Sequence, residues 1–170
     1  VRTYGGKSEK TRTAALHIHF SESFYEGKYS DLYQLRLIYL FEKFWEQLIT
    51  LARSSDYLLG RSAQRYYFPS FCKPAKKKID AWKSRYWRYQ NVNLHSSRDT
   101  IEIRIFRGTL SVTTLLASIE LVDFLVRLAK KASNCRLQNM TWKRLVKRIN
   151  RNGYQYLPNY INSKEAHCGE

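Results

Sequence analysis

A chain of 170 residues, 44% of them apolar, is long enough to bury one core and too apolar to be a disordered tract. Its 30 basic and 14 acidic residues leave a net charge of +16, which points to anionic partners (nucleotide, nucleic acid or an acidic protein) and says nothing about the fold. The three cysteines, Cys72, Cys135 and Cys168, lie far apart with no CxxC pair, which argues against a zinc finger and for free thiols in a reducing cytoplasm. No apolar run nears the roughly 18 residues that a membrane span needs, so no membrane partner is expected.

In chain order, residues 1–13 (VRTYGGKSEKTRT) form a polar, basic arm. A single domain is expected over 14–153 and a tail over 154–170. The domain opens with AALHIHFS, Ala14 to Ser21, where Leu16, Ile18 and Phe20 alternate with His17, His19 and Ser21. Period-two alternation reads as a strand with one apolar row and one polar row. Ser30 to Arg53 reads as one long helix, capped by Ser30 or Asp31, with Leu37, Leu40, Phe41, Phe44, Leu48 and Leu51 as its core stripe. A short helix is expected around Tyr57–Gln64. Tyr89 to His95 (YQNVNLH) reads as a strand in which Val92 and Leu94 alternate with Asn91, Asn93 and His95. Asp99 to Leu110 (DTIEIRIFRGTL) is the firmest strand: Ile101, Ile103 and Ile105 on one face, Glu102, Arg104 and Phe106 on the other. Leu110 to Ala132 is a helix apolar along Leu115, Leu116, Ile119, Leu121, Val122, Leu125, Val126 and Leu128, broad enough to be buried on most sides. Thr141 caps a last amphipathic helix, TWKRLVKRINRNG, and the chain then ends in a packed, fraying tail. The expected fold is α+β: a small antiparallel sheet with long helices packed on one face and an open polar face opposite.

If the three strands pair, their polar rows make a floor of His, Asn, Glu and Arg. The order LHIHFS, long helix, RYxxxNVNLH, TIEIRIFRGTL, helix resembles the amidoligase family, carboxylate–amine ligases of the glutamine synthetase and glutamate–cysteine ligase fold, often carried by phages and mobile elements. The resemblance spans roughly Ala14 to Lys130. It implies an ATP-dependent ligase using Mg or Mn with ATP and a carboxylate and an amine as substrates. It also implies His17 and Glu102 as metal ligands, His19 and Ser21 near the nucleotide phosphates, Arg104 and Arg107 on the transferred phosphoryl group, and Arg85 at the substrate or phosphate end. The family opens with an ExE-like strand ahead of the HxH strand. Here only 13 residues precede it, with Glu9 as their one acid. The chain is therefore expected to be either the C-terminal part of a longer enzyme or a fold that has lost half its metal site and serves as a binding protein; alone it is expected to be inactive and to bind divalent metal no tighter than roughly millimolar.

Other readings start from the same residues. His17, His19 and His95 make a candidate three-histidine zinc site. Two basic blocks make a candidate docking surface for nucleic acid or an acidic protein. Arg61 to Arg88 holds nine basic residues and one acid, among them Lys76, Lys77, Lys78, Lys83 and Arg88, interleaved with aromatics suited to base stacking. Arg127 to Arg151 holds nine basic residues and no acid, among them Lys143, Arg144, Lys147, Arg148 and Arg151.

Overall fold

The computed structural model describes residues 14–61, 63, 79–80, 89–94 and 99–167. Its centre is strand β3, Thr100–Arg107, which pairs antiparallel with β1, Ala15–Ser21, on one edge and with β2, Val92–Asn93, on the other. The expected α+β architecture is present: helices cover one face of a small antiparallel sheet. Ile101, Ile103 and Ile105 are buried to 1% exposure or less, as their alternation predicts. Among the described residues of Tyr89–His95, Val92 and Asn93 form the strand and Gln90 a lone bridge, with Arg104 N–H donating to the Asn91 carbonyl at 2.9 Å between them.

One residue of β3 leaves its predicted face. Leu16 pairs with Phe106 but Ile18 pairs with Ile103, so Arg104 and Ile105 together stand opposite His17. That extra residue is a β-bulge, and beyond it the alternation inverts. Phe106, expected beside Glu102 and Arg104, instead pairs with Leu16 of the apolar row and is buried at 2% exposure in the core. Arg107 takes the opposite sense, paired with Ala15 on the row of the histidines. The strand ends at Gly108, whose N–H donates to the Ala14 carbonyl at 2.9 Å; a Cβ there would meet Ala14 Cβ at 3.0 Å.

The long helix is two. α1, Ser30–Lys43, and α2, Trp45–Ala52, meet at Phe44, whose dihedrals (φ −109°, ψ 29°) leave the helical region. The ring of Phe44 is buried against Trp142, and the turn at its backbone lets both Leu40–Phe41 and Leu48–Leu51 reach the core. Neither Ser30 nor Asp31 caps α1: Tyr29 holds the cap position without a side-chain bond, and Ser30 Oγ accepts from Gln34 Nε2 one turn on. α2 ends in left-handed Arg53, and the Ser54 hydroxyl beyond it donates to the Ile105 carbonyl, tying this corner to β3. α3 is Asp56–Arg61.

α4, Val112–Lys131, is capped by Ser111, whose hydroxyl accepts from Thr114 N–H at 3.3 Å. Its buried face is narrower than its apolar stripe: Ile119 is 44% exposed because α4 is packed from one side there. α5, Asn134–Gln138, and α6, Trp142–Ile149, start at Ser133 and Thr141, each accepting a backbone N–H three residues on. α6 is not the last helix. The tail forms α7, Leu157–His167, with Leu157 and Ile161 fully buried. Its entry is held by the Glu120 carboxylate of α4, which accepts from the N–H groups of Gln155, Tyr156 and Leu157 at 3.1, 2.9 and 2.7 Å. A carboxylate at a helix start satisfies N–H groups that have no partner within the helix. Among the described residues no helix is long and apolar enough to cross a membrane.

Candidate functional site

The register of β1 on β3 sets the site. His19 pairs with Glu102, and His17 stands opposite the bulge that begins at Arg104. On the other side Asn93 of β2 pairs with Glu102. Four side chains therefore converge on one carboxylate. His17 Nδ1 lies 2.7 Å from Glu102 Oε1, Arg104 donates to the same oxygen at 2.8 Å, and Asn93 Nδ2 donates to Oε2 at 2.8 Å. His19 Nε2 stands 3.6 Å from Oε1, while its Nδ1 is 3.0 Å from Thr100 Oγ1.

The Glu102 side chain is only 8% exposed. Burial pushes its pKa up, but the hydrogen bonds from His17, Asn93 and Arg104, with the Arg104 charge, outweigh it and hold the pKa down to about 2. Glu102 is thus an anion at every physiological pH. An ionised carboxylate only accepts, so the nitrogen at 2.7 Å carries a proton: His17 donates through Nδ1–H, and its Nε2 is the ring nitrogen left facing away from Glu102. Arg104, 12% exposed, also lies over the exposed ring of Tyr89 at 5.9 Å. The histidines stay open, His17 at 31% and His19 at 39% side-chain exposure, so the floor presents imidazoles over a buried, paired carboxylate.

For the divalent cation that the resemblance implies, these residues fit as part of a site. Among the described residues no group of three or more His, Cys, Asp or Glu side chains is arranged to hold a metal ion. His17 Nε2 is the donor left open: Glu102 Oε1 meets Nδ1 on the opposite side of the ring, so the carboxylate stands behind the imidazole and not beside it on the same ion. A histidine that donates its other ring N–H to a carboxylate is also the usual posture of a metal-binding histidine.

Other expected residues are placed differently. Ser21 lies at the far end of the row, its hydroxyl accepting from Ser23 N–H to start a 3-10 turn over Glu22–Tyr25. Glu22 holds Gln34 Nε2 at 3.0 Å. Arg107 shares the polar row through the bulge, three residues beyond Arg104. Arg85, His95, Lys76, Lys77, Lys78, Lys83 and Arg88 lie outside the described residues. Asn93 as a clamp on Glu102 was legible only as one polar residue of an alternating row. Tyr89, covering Arg104, carried no signal beyond its aromatic type.

Comparison with protein-family models, with curated proteins and with solved structures finds no match for this chain.

Proposed function

We propose that this chain supplies the phosphate-facing floor of an ATP-dependent carboxylate–amine ligase. The observation that carries the reading is the pairing of the HxH strand with the IExR strand in a register that gathers His17, His19 and Arg104 around one ionised carboxylate. In such a reaction a substrate carboxylate oxygen attacks the γ-phosphorus of ATP and ADP leaves. The amine then attacks the acyl carbon of the acyl phosphate, and inorganic phosphate leaves with the C–N bond formed. The reacting oxygens carry dispersed negative charge, so the protein's contribution is positioning and electrostatics.

Glu102 orients Arg104 through the 2.8 Å bond and holds that guanidinium on the polar face, where it attracts phosphoryl oxygens. It orients the His17 ring through the bond to Nδ1, which leaves Nε2 on the side away from the carboxylate. His19, anchored at Thr100, offers a second imidazole along the same row. Arg107 extends the positive edge. A divalent cation held at His17 Nε2, with Glu102 behind the imidazole, would supply neutralisation of phosphate charge. Further acidic ligands belong to an N-terminal strand of the ExE kind on this reading.

The test is metal-dependent ADP release by the native protein that carries this chain, with amine and carboxylate substrates supplied as pools. Glu102→Gln is expected to lower turnover at least 100-fold, with Arg104→Ala close behind. Turnover unchanged in Glu102→Gln would overturn the proposal.

A further inference from the structure

A cleft of about 320 Å³ lies between α5 and α6, and its walls are cationic. Arg144, Lys147, Arg148 and Arg151 follow the spacing i, i+3, i+4, i+7, so α6 and the turn after it present them as one stripe. Arg136 of α5 faces that stripe, and Asn139 and Met140 complete the lining. No carboxylate lines the cleft, and none of the five cations forms an ion pair among the described residues. Arg144 alone is tied back, donating to the Asn139 carbonyl at 3.2 Å. Burial, then the nearby Arg136 charge, lowers the pKa of Arg148. Folding gains nothing from gathering like charges around a hollow; an incoming anion does.

We propose that this cleft binds the phosphate backbone of a nucleic acid without reading its sequence. Four of the five cations are arginines, whose planar fork matches phosphate oxygens two at a time. The stripe from Arg144 to Arg151 runs about 10 Å at 1.5 Å per residue, more than one phosphate needs, so the ligand is a string of anions. A protein partner would want aromatic or apolar anchors, and the one apolar lining residue, Met140, is itself buried. Among the described residues no aromatic ring lines the cleft to stack an unpaired base, which favours backbone contact over single-strand capture. This role is independent of the sheet site: among the described residues none of the sheet lines the cleft.

The experiment is fluorescence anisotropy of a labelled duplex of about 20 base pairs and mixed sequence, titrated with this chain between about 50 and 200 mM salt. Micromolar or tighter binding at low salt is expected, with affinity falling steeply and log-linearly as salt rises. Arg148→Glu should weaken binding about tenfold, and the double variant Arg136→Glu/Arg148→Glu should also make the salt slope shallower by about two. Lys28→Glu makes the same charge change at an exposed loop position ahead of α1 and should stay within about twofold. Circular dichroism of each variant confirms that it is folded. Equal loss in Lys28→Glu would show that net charge, not the cleft, binds the duplex. Undiminished binding in the double variant, or equal affinity for a polyglutamate chain of matched charge, would likewise overturn the proposal.

Discussion

The polar sheet face and the α5–α6 cleft both gather nitrogen-bearing side chains, and they treat charge in opposite ways. On the sheet, Arg104 and the two histidines surround a buried carboxylate whose oxygens accept from His17, Arg104 and Asn93. In the cleft, five cations face one another with no carboxylate among the lining residues. The first arrangement is internally balanced: its charges stabilise the fold, and its geometry is fixed before any ligand arrives. The second is balanced only from outside. A paired site positions groups for chemistry; an unpaired one attracts and holds a polyanion at a salt-dependent affinity.

The sharpest way to break this contrast is to remove the hub. Glu102→Ala leaves the Arg104 guanidinium, 12% exposed, without its counter-charge and Asn93 without its acceptor. A loss of about 3 kcal/mol in urea unfolding at neutral pH is expected, because removing one partner of a largely buried ion pair costs more than the pair was worth. The second test is acid. The folded pKa of Glu102, about 2, lies below its ordinary value of 4.5, so the stability it confers is fully present above about pH 4.5 and is lost as pH falls toward 2. The size is about 2–3 kcal/mol, read as the difference in unfolding free energy between pH 5 and pH 2.5. In Glu102→Gln that part of the acid slope should vanish while the remaining carboxylates keep theirs.

Smaller effects sharpen the comparison. Asn93→Ala removes one buried donor from Glu102 Oε2 and should cost about 1–2 kcal/mol while raising the Glu102 pKa, visible as an acid transition beginning at higher pH. Arg148→Ala should do the reverse of a core change. It relieves repulsion with Arg136, so stability should rise by a few tenths of a kcal/mol at low salt and the gain should fade at high salt. A loss of 2 kcal/mol there would mean that the cleft charges are structural, and the contrast between the two regions would fail.

Much of the sheet site was legible because period two is a local property. AALHIHFS and DTIEIRIFR each declare one apolar and one polar row, and antiparallel pairing needs only to match apolar row to apolar row to bring His17, His19, Glu102 and Arg104 together. The bulge was not legible. It depends on how β1 and β3 pair at His17, a long-range fact, and it moved Phe106 into the core and Arg107 onto the histidine row. The α6 stripe was legible for the same local reason as the strands, whereas Arg136, which turns a charged helix face into a cleft, comes from a separate helix.

Helix ends divide along the same line. Thr141 announced its helix because a cap is a bond between residues three apart. α7 stayed hidden because its first N–H groups are satisfied by Glu120, 35 or more positions back in the chain. The break at Phe44 lacks the proline or glycine that marks many interruptions; burial of its ring against Trp142 accompanies it. By itself the sequence determined which side chains share a strand row or a helix face within an unbroken stretch, since those follow from backbone periods of 2 and 3.6 residues. Only the tertiary structure decided which rows meet, where the register slips and which charges are left unbalanced, because burial and pairing energies are set by residues distant in the chain.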